Sequence, residues 1–429
     1  MSDKIVRFHA PGCDYPDLAN VPGIESYGAR ATLGRGGVVV VSDHPDIPVA
    51  VSDYRQIGLG PNEIIPVRVN GGGLYRGMLS DPVALARLRF FLQADHRLEV
   101  FRPGPTALEF ARRAGIDWTR QMASPHPDVA EPWNNKRVIR QQALQNGLSE
   151  LFPRHILCRT EAEIRSATRA LGGGKADGVV IKLTDRASSD GMIFLGRGES
   201  PDTFISQYSS FIAQGVVVEE AWNHQPWSVV YRITDAGPEF QQFSLQIMEG
   251  VAPGAWVSLS QMRKGIAHWG NVVATPGINL GLITPKLVQA TCVRLKPFLR
   301  LVHASGYRGV IGVDLMLTED KKVFVLECNA RPSHSGFVGA VVSGVSQHWR
   351  GAPVVVAGGN VVLPARTNTY TRVKECLGSL LLTSSTPTTG CVVYHPTLPQ
   401  QAGKVGIMAV GPTYDESLRV FREAERVLS

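Results

Sequence analysis

Two apolar runs lying close together constrain this chain more than any other feature. Gly312-Val313-Asp314-Leu315-Met316 and Phe324-Val325-Leu326-Glu327-Cys328-Asn329-Ala330-Arg331 are joined by the polar stretch Thr318-Glu319-Asp320-Lys321-Lys322. Both runs are too apolar for an exposed ribbon, so the pattern predicts two neighbouring strands with a turn between them. Side chains alternate along a strand, which puts Glu327, Asn329 and Arg331 on one face. Cys328 then points to the other face, into the core, as a small hydrophobe. A strand face carrying a carboxylate, an amide and a guanidinium is costly unless it binds something charged. Asp314 on the partner strand would complete a set of hard oxygen ligands. Such ligands suit Mg²⁺ shared between one or two carboxylates and substrate phosphates. Arg331 would neutralise phosphoryl charge.

At 429 residues the chain has room for two or three domains with real cores. No apolar run reaches membrane-spanning length. Met1-Ser2-Asp3-Lys4-Ile5 lacks the basic region and apolar core of a signal peptide, so a cytoplasmic, non-membrane protein is expected. Six scattered cysteines form no Cys-x-x-Cys pair, which argues against a zinc site or a disulfide framework. The net charge of +7 permits nucleic-acid binding. The basic residues are dispersed, however, and no stacking-aromatic motif accompanies them, so no nucleic-acid partner is expected.

Residues 1–130 read as an α/β unit. Gly36-Gly37-Val38-Val39-Val40-Val41 is a buried-strand signal, Asp81–Arg97 has helical spacing of leucines, and Leu98–Phe101 suggests a further strand. Gly34-Arg35-Gly36-Gly37 precedes its strand and is read as a turn, not as a dinucleotide fingerprint. Ala123–Trp133, rich in Pro, His and Asp, reads as a linker. Asn134 or Asn135 can cap a helix that follows it. Residues 131–345 alternate strand and helix patterns. Residues 346–429 form a small third region, ending in a strand at Val405–Gly411 and an amphipathic helix from Tyr414 to Leu428.

Three further segments carry nucleotide-binding chemistry. Val179-Val180-Ile181-Lys182 is a buried strand whose lysine must snorkel or meet an anion. The loop Ala187-Ser188-Ser189-Asp190-Gly191 after it is small enough for backbone N–H groups to approach phosphate oxygens. Val216-Val217-Val218-Glu219-Glu220-Ala221-Trp222 is a second buried strand running into carboxylates. Lys136 opens the capped helix.

These segments, in this order, resemble the ATP-grasp superfamily, whose metal hairpin reads as an acidic residue followed by Glu-x-Asn-x-Arg. The resemblance implies an α/β (α+β) fold: an ATP-grasp core of two subdomains at 131–345, a pre-ATP-grasp α/β domain before it and a small α/β domain after it. It implies ATP and Mg²⁺ as cofactors. Asp314, Glu327 and Asn329 would hold the metal, and Lys136, Lys182, Ser188, Ser189 and Gly191 would contact phosphates. Glu219, Glu220, Ala221 and Trp222 would surround adenine, with the choice between the two glutamates left open. Arg331, Arg263, Lys264 and His268 are the basic groups expected to face the reacting acyl-phosphate, Arg263 first among the last three. His334 is a further candidate substrate contact. This sequence departs from many members in having one glycine in the phosphate loop and Asp314 where Glu is frequent.

The layout is most similar to the pheganomycin-type peptide ligases. That similarity implies ATP-dependent joining of an amino-acid-like carboxylate to an amine or peptide acceptor in natural-product biosynthesis. Transfer to a carrier-protein thiol, bicarbonate activation and a non-catalytic nucleotide-binding role are the alternatives, and a homodimer stays open.

Overall fold

In the computed structural model the described residues are 4–15, 23–69, 73–174, 176–184, 191–251, 254–265, 268–385 and 389–429, the side chain of Trp269 excepted. In chain order their strands are β1 Ile5–Phe8, β2 Val38–Ser42, β3 Glu63–Val67, β4 Arg97–Val100, β5 His155–Cys158, β6 Gly178–Leu183, β7 Met192–Gly196 and β8 Val216–Ala221. They continue with β9 His224–Thr234, β10 Gly237–Met248, β11 His268–Ala274, β12 Gly309–Thr318, β13 Val323–Asn329, β14 Val355–Val362, β15 Gly390–Tyr394 and β16 Lys404–Gly411. The chain divides into two units. One comprises residues 1–127, 270–280 and 331–429, the other residues 128–269 and 281–330.

The first unit contains a parallel sheet of order β3-β2-β1-β4. The four valines of β2 are buried on both faces, as a central parallel strand requires. Gly36 and Gly37 sit at φ of 70° and 68°, so the glycine-rich stretch before β2 is a turn. The same unit holds antiparallel strands in the order β11-β14-β16-β15, followed by the helix Tyr414–Leu428. The end of the chain therefore folds as its apolar periodicity predicts.

The second unit contains an antiparallel sheet of order β5-β8-β6-β7 and antiparallel strands in the order β13-β12-β9-β10. One face of the smaller sheet packs Val179, Ile181, Leu183, Val216 and Val218 against the helices Glu161–Gly172 and Asp202–Tyr208. Its other face carries Val180 and Ala221, which join Val257, Leu259 and Met262.

The stretch read as a linker is a correction. Pro127–Asn134 is a helix with Pro132 inside it. Trp133 is buried, packs edge-on against Phe298 and donates Nε1–H to Ser305 Oγ at 2.9 Å. That apolar anchor orders a Pro-rich stretch that composition alone assigns to a loop.

Candidate active site

The predicted hairpin forms in the second unit. β12 and β13 pair antiparallel with Asp314 opposite Glu327 and Gly312 opposite Asn329. Directly paired residues of an antiparallel ladder share a face, so the two carboxylates and the amide stand together. Asn329 Nδ2 donates to Asp314 Oδ2 at 2.8 Å. Val313 and Cys328 take the opposite, buried face. Burial, with Asp314 and Glu327 nearby, pushes the Cys328 thiol well above its ordinary range, which removes it as a nucleophile.

The polar face is wider than the hairpin. Asp314 lies opposite Ser228 on β9, and Ser228 opposite Ser244 on β10, with their hydroxyls 2.7 Å apart. Gln246, two residues beyond Ser244, reaches Asp314 Oδ1 at 3.3 Å. None of these three residues was singled out from sequence, although the alternation Phe243-Ser244-Leu245-Gln246-Ile247 is a signal for a half-polar strand.

The helix Lys136–Gln145 brings the first lysine to this face. Asn135, not Asn134, is its cap, accepting from the backbone N–H groups of Arg137 at 3.0 Å and Val138 at 3.2 Å. Asn134 accepts instead from Ala330 N at 2.9 Å, just past the end of β13. Lys136 Nζ lies 3.1 Å from Glu327 Oε2, and its backbone N–H donates to Thr184 O at 2.9 Å, just past β6. Asn135→Ala should lower the unfolding free energy by about 1 kcal/mol in urea titration, by loss of the cap.

Arg140, one turn after Lys136, is fully buried. It donates to the Lys136 and Leu326 carbonyl oxygens at 2.9 and 3.0 Å and pairs with Glu219. Glu219 also pairs with Lys182. The register explains the meeting: Val180 is opposite Glu219 and Lys182 opposite Val217, so Lys182, Glu219 and Ala221 share the face of the smaller sheet that Val180 occupies. Burial pushes the Glu219 carboxyl up, but Arg140 and Lys182 outweigh it and hold the group down at about 2. Burial, opposed by Glu219, lowers the Lys182 ammonium below its ordinary value. Two buried cations thus share one buried carboxylate, leaving an excess of positive charge that suits a phosphate.

Glu220 points the other way. It lies opposite Val179, and Arg154 Nη1 approaches its Oε1 at 3.2 Å. Trp222 is half-buried, and its carbonyl accepts from His224 Nδ1 at 2.8 Å. Gly191 holds φ at +69°, where a Cβ would meet Leu183 Cδ1 at 2.6 Å, and its carbonyl accepts from Leu183 N. Glycine is therefore required where the loop re-enters β7. Ser188 and Ser189 lie outside the described residues.

The basic groups expected near the reacting phosphate come from different elements. Arg263 pairs with Glu199 at 2.5 Å in a surface groove beside β7 that Lys264 also lines. His268 is exposed at the start of β11. Arg331 belongs to the first unit, where its guanidinium lies 5.5 Å from the Tyr15 ring centroid. His334, also in that unit, is held between Asn271 Nδ2 and Tyr394 Oη, each at 2.8 Å.

No group of three or more His, Cys, Asp or Glu side chains suited to a metal occurs among the described residues. The hairpin donors are two carboxylates and an amide. That set fits Mg²⁺ completed by phosphates and water, not an all-protein cage.

The fold is that of ATP-grasp enzymes. No family model matches the sequence, and comparison with curated proteins gives no match. Solved structures do match over the whole chain. An N5-carboxyaminoimidazole ribonucleotide synthetase in complex with ADP is 12% identical, with a TM-score of 0.55, 100% of this chain covered and 97% of that one. The synthetase of the same name from Thermus thermophilus is 15% identical, with a TM-score of 0.55 and 99% of each chain covered. The L-amino acid ligase from Bacillus licheniformis is 11% identical, with a TM-score of 0.52, covering 99% of this chain and 98% of that one.

Proposed function

We propose that this chain is an ATP- and Mg²⁺-dependent carboxylate–amine ligase releasing ADP and phosphate. The observation that carries this reading is the meeting, inside one unit, of the Asp314–Glu327–Asn329 face with Lys136 and with the buried Arg140–Glu219–Lys182 cluster. Asp314, Glu327 and Asn329 would hold the metal, which when bound neutralises charge on phosphoryl oxygens. Lys136 and Lys182 would supply fixed positive charge to the phosphates, with Ser188, Ser189 and Gly191 as the further proposed phosphate contacts. Glu219, on the lysine's face, Ala221 and Trp222 border the base. Glu220 is the weaker candidate, because its carboxylate is directed to Arg154.

In this scheme a substrate carboxylate oxygen attacks the γ-phosphorus and ADP departs. The amine then attacks the acyl carbon, phosphate departs with its bonding pair, and the amine proton passes to solvent or base. Arg331 is assigned to the transferring charge. Arg263, Lys264 and His268 are the proposed secondary basic groups, and Arg263 would have to leave Glu199 to act. We assign residues 1–130 to a pre-ATP-grasp domain, 131–345 to the ATP-grasp core and 346–429 to a small C-terminal domain.

The finer reading is a cytoplasmic, pheganomycin-type ligase of natural-product biosynthesis that joins an amino-acid-like donor to an amine or peptide acceptor. The fold shared with an L-amino acid ligase supports it. The whole-chain likeness to carboxyaminoimidazole ribonucleotide synthetases favours a second reading, with bicarbonate as the activated carboxylate.

The test is product analysis. The protein is incubated with ATP, Mg²⁺ and pools of amino acids, amidino acids and short peptides. A separate reaction contains bicarbonate with 5-aminoimidazole ribonucleotide. ADP, phosphate and a product lighter by one water than its two substrates are expected from the first pool. AMP with pyrophosphate would overturn the acyl-phosphate scheme. Turnover only with bicarbonate would select the second reading.

A further inference from the structure

The first unit contains a charged group that the proposed nucleotide chemistry leaves unused. Its parallel sheet runs in the order β3-β2-β1-β4, so the chain leaves β1 toward one side while β4 lies on the other. In open sheets of this kind the loops at the carboxyl ends of such a strand pair diverge and leave a crevice where ligands bind. Here the loop after β1 supplies His9 and Tyr15, and the end of β4 supplies Glu99 and Phe101.

Arg30, from the 3₁₀ segment Ile24–Leu33, stands among these residues. Its guanidinium carbon lies 5.0 Å from the Tyr27 ring centroid, 4.9 Å from that of Phe337 and 5.8 Å from that of Phe101. Nε donates to Tyr27 O at 3.1 Å. Among the described residues no acceptor is hydrogen-bonded to its Nη groups, and no Asp or Glu forms an ion pair with it. The nearby ionisable groups do not supply the missing charge. His9 touches Phe101 and Phe337, and its Nε2 faces Glu99 at 3.3 Å. His395 is buried against Tyr27 and Tyr394, with neither ring nitrogen in a well-formed hydrogen bond. Burial first, then neighbouring cations, lower both imidazoles toward neutrality, against Glu99 for His9 and a weak contact from the Ser26 backbone for His395. Arg331 is a second cation close enough to be felt by Arg30, and Tyr394 and Tyr27 complete its electrostatic surroundings.

A half-buried arginine hemmed in by three rings, with no counter-ion among the described residues, is expensive unless an anion joins it. With rings crowding it and Nε engaged, what remains is the Nη edge, a planar two-donor fork. That fork matches a carboxylate or phosphate held by two parallel hydrogen bonds. We propose that Arg30 is a specificity-determining residue that binds an oxyanion of the amine-bearing substrate at the β1–β4 crevice. The amine, but not the anion, rests on the ligase reading. A carboxylate would make that substrate an amino acid or peptide; a phosphate would make it a phosphorylated amine.

The test is saturation-transfer NMR on the full chain with glycylglycine, O-phosphoethanolamine and glycylglycinamide. At least one anionic probe should bind and the amide should not. The tighter of the two anions identifies the source. Arg30→Met should weaken that binding by about tenfold or more. Arg30→Lys should also weaken it, because an ammonium keeps the charge but lacks the fork. Equal binding by the amide, failure of both anions in the wild type, or wild-type affinity in Arg30→Met would overturn the proposal. If Arg30→Met does not fold, as judged by its urea midpoint, wild-type affinity in Arg30→Lys would do the same. Loss of the ligase reading would instead show as no ADP formation with anion binding intact.

Discussion

Glu219→Ala should lower the unfolding free energy by about 3–5 kcal/mol, because it strands two cations in the interior. Arg140 is fully buried and Lys182 nearly so, and Glu219 is the carboxylate both of them meet. Urea unfolding followed by tryptophan fluorescence measures the loss. A decrease below about 1 kcal/mol would mean that water or another group compensates the cations, and would remove the excess-charge argument for this site. The same carboxylate gives the fold an acid limit. Its folded value, about 2, lies below the ordinary 4.5. Its stabilising contribution is therefore complete above roughly pH 4.5 and is lost as the pH falls toward 2. The wild type should lose stability across that window, and Glu219→Ala should lose less.

Glu327→Ala should leave the protein folded and lower ADP formation by about a thousandfold or more, the scale on which enzymes lose preorganised charge stabilisation. Glu327 is partly exposed and pairs with Lys136, whereas Glu219 is fully buried between two cations. Asn329→Ala should act in the same direction, since Asn329 holds Asp314 through Nδ2. Turnover is followed by coupled ADP detection, with far-UV circular dichroism as the check on folding. Wild-type turnover in Glu327→Ala would sink the metal assignment.

The contrast between these two glutamates shows what each level of description decides. Both lie in apolar strands, and the sequence treats them alike. Alternation alone places Glu327 beside Asn329, and the apolar flanks make the hairpin that sets Asp314 opposite. Alternation also puts Glu219 and Glu220 on opposite faces, but which of them shares the face of Lys182 is long-range information: it depends on Val180 pairing with Glu219 across the smaller sheet.

Arg140 shows the same limit. Its spacing from Lys136 was visible, but a helix surface arginine is ordinarily solvated. Only the packing of that helix between the two sheets of its unit buries it against Glu219 and the Leu326 carbonyl. Arg263 shows it too: chain position gives no sign of its pairing with Glu199 at the edge of β7.

By itself, then, the sequence determined the hairpin, the lysine-bearing strand, the capped helix and the C-terminal strand and helix. These follow from periods of 2 and 3.6 and from short-range capping chemistry. The tertiary structure alone decided which charges meet, which are buried and which stay in water. Those outcomes depend on register and packing between segments far apart in the chain, and on the desolvation that packing imposes.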